Sequence, residues 1–437
     1  MNTPSWPGKP VWPLWQKILF RFFFIYFIIY IAPWTWLGYI PGADYVLKYY
    51  YQFMDWCVNT ANDKFFHIYK ELVPLNGSGD TSYGWTMLWL LLSVAFIGSI
   101  LWSLLDFKRN NYNRLGYWFR IVVRYFVIMN CFGYGIIKLF GLQMYFPTLS
   151  QLATPLGDLL PMRFSWMFMG YSFSYQAFSG ALEVAAGLLL LFRRTSTFGA
   201  LMAAGVFTNV MMLNMSYDIP VKLFSTHIVV MCIILLAYDY KRIFSFAYNG
   251  AAVPGNLYQV SFSKKWMRIL KLILKLAFIL VIVILPISDS WTRYKEINTR
   301  KEIKPIKEGI YEVKKFVVNN DTIPYISNDS LRWQDVIFQG DGSGSVNTTD
   351  TLFRQRYRRG YFTYTTDTVN QTIEFKKLNV RFESFFLFRL KYGLPDSNTI
   401  RLYGMIRKDS VFAELKKTNR HFQLAEKQFH WLSEYNR

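Results

Sequence analysis

Ser179-Gly180-Ala181-Leu182-Glu183-Val184-Ala185-Ala186-Gly187-Leu188-Leu189-Leu190-Leu191-Phe192 carries one carboxylate inside an otherwise uncharged run of small and aliphatic residues. It belongs to an apolar segment, 171–192, and a run of about 18 or more such residues is long enough to cross a bilayer as a helix. A charge at that depth is expensive. Glu183 is therefore either paired with a lysine or arginine as internal glue, or protonated and used in proton or quinone chemistry. The small residues around it let a neighbouring helix approach closely.

Six further runs have the same character: 18–37, 84–105, 117–140, 197–215, 221–239 and 269–287. The first does not read as a convincing signal peptide, because Arg21 interrupts it and Ala32-Pro33-Trp34 follows without a small-x-small cleavage site. Charges between the runs alternate. Lys9 and Lys17 precede the first, and residues 38–83 carry a net −2. Lys108, Arg109 and Arg114 follow the second run, Arg193-Arg194 the fourth, and Lys241, Arg242, Lys264, Lys265 and Arg268 the sixth. The positive-inside rule puts the N-terminus in the cytoplasm and everything after the seventh run outside it. The expectation is a multi-pass membrane protein with the lipid bilayer as its principal partner.

Composition agrees. Of 437 residues 19% are aromatic and 18% charged, against roughly a quarter charged in ordinary soluble domains, which excludes disorder, collagen and coiled coil. The net charge of +21 does not imply nucleic acid, since much of it flanks the apolar runs. Cys57, Cys131 and Cys232 form no C-x-x-C pair, so no cysteine-based metal site is expected. His227 is a lone intramembrane histidine, which makes neither a metal site nor a haem pair.

Residues 45–61 read as an amphipathic helix lying in the membrane surface. Residues 76–81 lack the lysine and preceding strand of a phosphate-binding loop, and read as a turn followed by a helix cap. Residues 142–170, with Pro147, Pro155 and Pro161, read as a folded cap over the outer face. From about Glu308 the period changes to two, in Tyr311-Glu312-Val313-Lys314-Lys315-Phe316-Val317 and again at 361–365, 371–375, 385–390, 399–403 and 411–415. Turns at 319–321, 340–344 and 395–397 separate these stretches, and 422–431 fits a last strand. Seven or eight such strands argue an antiparallel β-barrel or sandwich of lipocalin size, hollow for one ligand or filled by its own side chains. From Ser290 onward 26 Lys and Arg face 17 Asp and Glu. The domains are thus 1–116, N-terminal spans with the interfacial helix; 117–245, a four-helix membrane unit; 246–289, linker and last span; and 290–437, the β-rich domain.

Inside the spans, Arg120 and Arg124 share one helix face and read as snorkelling to an interface. Tyr134, Lys138, Glu183, Asn209, Asn214, Asp218, Lys222 and His227 come from the third to sixth runs and are expected to converge as a polar pocket roofed by 142–170. Glu183, Lys222 and His227 are its candidate catalytic groups.

These residues carry a family resemblance. The block from Tyr134-Gly135-Ile136-Ile137-Lys138 to about Tyr240 resembles the DoxX-like membrane proteins. The features are the lysine after a glycine-containing span, the 179–192 stretch with its Gly-x-x-Glu-x-x-x-Gly-Leu-Leu-Leu pattern, and the basic turn Arg193-Arg194-Thr195. The resemblance implies a four-helix membrane unit and an accessory subunit or binding protein for a quinone, a lipid ligand or a membrane redox partner, with Glu183 at the family's intramembrane glutamate. The absence of a cofactor motif departs from a redox role. A distant similarity to the horizontally transferred transmembrane domain of vitamin K-dependent carboxylases points to Lys222 and His227, and with it to the alternative of a membrane enzyme.

Overall fold

In an apolar medium every backbone N–H and C=O must be satisfied within the segment, so long apolar runs become helices. The computed structural model of the chain describes residues 11–77, 79–250, 264–299, 305–325, 331–378, 384–426, 431–432 and 434. Its helices are α1 (Leu14–Ile31), α2 (Asp44–Ala61), α3 (Ser82–Leu105), α4 (Asn113–Leu139), α5 (Leu149–Leu152), α6 (Pro161–Tyr171), α7 (Phe173–Leu191), α8 (Ser196–Ser216), α9 (Lys222–Ala237), α10 (Tyr240–Asn249) and α11 (Lys265–Asn298). Six are long and apolar enough to cross a membrane: α1 with its following turn, α3, α4, α7, α8 and α11. The expected run at 221–239 is the exception, because α9 qualifies only together with α10, from which it is bent by 74°. In the most apolar stretch of α3 only 17% of the residues are buried. The remaining apolar side chains point outward, as lipid permits and water does not.

The chain divides into two compact units. The first comprises Met1–Gln143 and Phe173–Thr292. Here α4 packs on α7, α7 on α8, α8 on α9 and α9 on α4, which closes a four-helix ring, while α1 packs on α3 and α4. Arg21 is 1% exposed. Its guanidinium donates to the Tyr112 hydroxyl at 2.9 Å, the Ser103 hydroxyl at 2.7 Å and the Asp106 carbonyl at 3.0 Å, tying α1 to the α3–α4 turn. Thr81 caps α3, its hydroxyl accepting from the Gly84 N–H at 3.3 Å, as the turn reading expected; Ser78 of that turn lies outside the described residues. Helix α2 is amphipathic, with Leu47, Val58 and Ala61 buried and Tyr45, Tyr49, Phe53 and Trp56 exposed.

The second unit comprises Met144–Ser172 and Arg293–Arg437. Its strands are β1 (Gly309–Val318), β2 (Asp321–Thr322), β3 (Asp335–Phe338), β4 (Ser343–Val346), β5 (Arg354–Arg356), β6 (Arg359–Asp367), β7 (Thr372–Leu378), β8 (Ser384–Asp396), β9 (Thr399–Ile406) and β10 (Asp409–Lys417). Eight of them form a closed antiparallel barrel in the order β1-β3-β4-β6-β7-β8-β9-β10, and β10 returns to β1 with Val313 opposite Leu415 and Val318 opposite Val411. Closure removes the unpaired edges that would otherwise invite aggregation. The period-two pattern buries Phe362 and Tyr364 of β6, Ile373 and Phe375 of β7, and Val411, Ala413 and Leu415 of β10. Trp333 meets Phe316, Phe353, Phe375 and Phe388 with ring centroids 5.7 to 6.4 Å apart. The interior is filled by the protein's own rings.

Three expectations are corrected. The turn at 340–344 is shorter, because Ser343 and Gly344 already pair in β4. Residues 422–431 supply no last strand among the described residues. Gln423–Ala425 is a 3-10 turn, since the ring has closed at β10 and leaves no edge to extend, and 427–430 lie outside the described residues. The segment expected to roof the membrane pocket is instead built into the barrel unit: the Ser345 hydroxyl donates to Ser150 at 2.8 Å, and Ala153 packs on Ile310 and Ile337.

On the barrel surface Glu374 accepts from Arg389 at 2.6 Å and pairs with Lys376 at 3.0 Å. The Arg389 and Lys376 hydrogen bonds hold its carboxyl below the usual range. A depressed native pKa contributes stability above the unfolded value of about 4.3 and loses it as pH falls through the native one. Glu374→Gln should therefore lower the melting temperature at pH 7, with the gap to wild type closing below about pH 4. A gap that persists undiminished to pH 3 refutes this assignment.

Candidate functional site

The α4–α7 crossing is built on two glycines. A Cβ on Gly180 would lie 2.6 Å from the Gly135 carbonyl oxygen and 2.7 Å from Lys138 Cβ, and one on Gly135 would lie 2.8 Å from Val184 Cγ2. Only glycine allows this approach. Three residues beyond each glycine stand Lys138 and Glu183, and the crossing brings them together as an ion pair with side chains 6% and 0% exposed. The second carboxylate oxygen, Oε2, is buried and has no hydrogen-bond partner among the described residues. Of the two fates open to Glu183, the geometry provides the lysine partner.

His227 on α9 is fixed from both sides. Its Nδ1 lies 2.5 Å from the Leu223 carbonyl, which can only accept, so Nδ1 carries the proton. Nε2 then offers a lone pair to the Tyr26 hydroxyl at 2.6 Å. Tyr30, one turn along α1, stacks on the imidazole with centroids 4.1 Å apart and planes 1° off parallel. Neither tyrosine was among the expected site residues, which came from the third to sixth runs alone. Their signal was the i, i+4 spacing of Phe22, Tyr26 and Tyr30 in the first run.

The eight expected pocket residues divide. Tyr134 lies within electrostatic reach of Tyr30 on one side and Glu183 on the other, and 6.1 Å from the Phe224 ring. Lys138 and Glu183 thus form one polar pair and His227 another group with Tyr26 and Tyr30. Asp218 and Lys222 belong elsewhere. Lys222 pairs with Asp218 at 2.7 Å and with Asp80 at 3.8 Å, and the Asp80 carboxylate accepts from the Lys222 and Leu223 N–H groups at 2.8 and 2.9 Å, capping α9. Asn214 is buried on α8 while Asn209 is exposed, because five residues rotate the helix by more than a third of a turn. A cavity of about 350 Å³ opens where α1 turns toward α2, between Tyr30, Tyr50, Met54, Asp55, Tyr83 and Met87. Its polar corner is the Tyr83 hydroxyl donating to Asp55 at 2.5 Å. Tyr30 is both a wall of this cavity and the stacking partner of His227. Among the described residues no group of three or more His, Cys, Asp or Glu side chains stands ready to hold a metal ion.

No family model and no solved structure matches the chain. A stretch of 119 residues, 27% of the chain, is 33% identical to the uncharacterized protein YwoB of Bacillus subtilis (strain 168) and spans 75% of that protein.

Removing one partner of a buried pair strands the other charge, at a cost of about 3–5 kcal/mol. Lys138→Met should lower stability by that order in detergent melting, and Lys138→Met with Glu183→Leu should restore most of it. A double variant as unstable as the single one would show that the pair is not what holds α4 to α7.

Proposed function

For a chain that belongs to the same family as the uncharacterized YwoB of Bacillus subtilis, we propose the role of a DoxX-like integral membrane protein that binds an amphipathic ligand, a quinone or a lipid, on behalf of a membrane partner. The observation that carries this reading is the double position of Tyr30. A flat head group entering the cavity meets the tyrosine backed by His227 and Tyr26, with Asp55 and Tyr83 at the rim. Sites for such ligands are mostly apolar and aromatic with a few placed polar groups, and this cavity has that make-up. The barrel's centre is packed with aromatic rings around Trp333, which supports placing the ligand among the helices. In this reading the N-terminus is cytoplasmic, the barrel is extracytoplasmic, and the membrane is the bacterial inner membrane.

The enzyme reading is favoured by one observation, the Nε2 lone pair of His227 accepting from the Tyr26 phenol. That pair is suited to accept a proton from a bound ligand by way of Tyr26.

The test uses the full chain in lipid nanodiscs titrated with a short-chain quinone, followed by tryptophan fluorescence, with extraction and mass spectrometry of whatever lipid is retained. Wild type should bind quinone or retain a specific lipid, and Tyr30→Leu should weaken that at least about tenfold, the effect of about 1.4 kcal/mol. Retention of neither ligand by wild type, or full retention by Tyr30→Leu, rejects the cavity as the site.

A further inference from the structure

The barrel unit carries a second concentration of chemistry, in Arg354-Gln355-Arg356-Tyr357-Arg358-Arg359-Gly360-Tyr361. Strands β5 and β6 pair Arg356 with Arg359 and leave a two-residue turn, Tyr357-Arg358. Both turn residues have left-handed φ, 51° and 54°. Such hairpins ordinarily use Asn-Gly there, and bulky residues in that region are strained. The turn therefore holds an arginine and a tyrosine where the backbone favours neither.

Around the turn the charges do not balance. Arg359 is spent internally: it is buried, pairs with Asp335, and donates from Nε to the Ser345 hydroxyl at 2.9 Å. Arg358 reaches Asp158 at 3.0 Å. Arg163 of α6 and Arg356 have no carboxylate partner among the described residues. Both donate instead to one neutral oxygen, the Tyr357 hydroxyl, at 2.9 and 3.2 Å. Their donating nitrogens are thus no more than about 6 Å apart, a like-charge approach in which the neighbouring carboxylates, Asp158 and Asp335, pair with Arg358 and Arg359 instead. The Tyr361 ring lies 6.4 Å from that of Tyr357, and its hydroxyl is buried without a hydrogen-bond partner among the described residues, in the field of Arg359, Arg356 and Arg163.

We propose that this turn is an oxyanion site that takes a phosphate group between Arg163, Arg356 and the Tyr361 hydroxyl. Two guanidinium groups at this spacing can each donate to a different oxygen of one tetrahedral anion, and guanidinium–phosphate contacts are among the stronger charge-assisted hydrogen bonds. The anion supplies the missing negative charge and an acceptor for Tyr361. A phospholipid head group and free phosphate share this chemistry.

The test uses the full chain. Inorganic phosphate is titrated calorimetrically into detergent-solubilised protein, and nanodiscs of phosphatidylglycerol are compared with nanodiscs of phosphatidylcholine by melting temperature. Arg163→Gln, Arg356→Gln and Tyr361→Phe are the variants, and Arg401→Gln, whose partner is Glu414 on another pair of strands, is the control. Phosphate binding that falls at least tenfold in either arginine variant and severalfold in Tyr361→Phe, with Arg401→Gln unchanged, supports the site with free phosphate as its ligand. Stabilisation by phosphatidylglycerol that the same variants abolish, without phosphate binding, supports it with a lipid head group. Tyr361→Phe keeps the ring and its packing, so its result stands even where an arginine variant folds poorly. Neither probe acting on wild type, or both acting equally on all the variants, overturns the proposal.

Discussion

A charge left alone in an apolar medium costs more than most folds can spare, and the approach of Lys138 to Glu183 meets that constraint at the centre of the helical unit. The pair requires α4 and α7 to come within backbone contact, which Gly135 and Gly180 permit. With that crossing fixed, α8 packs back on α7, α9 closes on α4, and the ring presents His227 toward α1. The histidine, its two tyrosines and the neighbouring cavity thus hang on the geometry of one ion pair several residues away. The Oε2 of Glu183, without a hydrogen-bond partner among the described residues, is the residual cost of the arrangement.

The two units separate two kinds of interior. The barrel satisfies its backbone by closing on itself and fills its centre with aromatic rings, leaving its chemistry on the outside at the arginine turn. The helical unit satisfies its backbone segment by segment and can keep polar side chains and a cavity inside. A ring of eight strands could have been hollow. Trp333, which enters from the connection before β3, takes the central space and decides otherwise.

Much of this was legible in the residues. Apolar runs gave the helices and period-two alternation gave the strands, because both reflect burial within one segment. Glu183 stood out because a lone carboxylate in a Leu and Ala run needs a reason. Its partner was left open between lysine and arginine, because the contact of Lys138 with Glu183 joins two helices across 45 positions. Other contacts distant in sequence were not legible either. His227 meets Tyr26 across 201 positions, and no local pattern in α9 points to α1. Asn209 and Lys222 looked like pocket residues by their run, but helix phase turns one outward and a cap claims the other. The segment before α7 read as a cap on the helices because it lies between two of them, whereas Ser150 and Asp158 find their partners in a strand and a turn of the barrel about two hundred residues later.

That last feature constrains how many times the chain passes through a bilayer. Residues 144–172 and 293–437 make one compact unit, so they must stand on the same side. The stretch between them must then cross an even number of times. Helices α7, α8 and α11 supply three crossings, so α9 has to be the fourth, although its 16 residues rise only about 24 Å against a hydrocarbon core of about 30 Å. On that parity the chain would cross seven times, the upper figure of the six or seven that length and hydropathy allow, and the sharp bend into α10 would then lie where a short helix meets the far surface of a locally thinned bilayer.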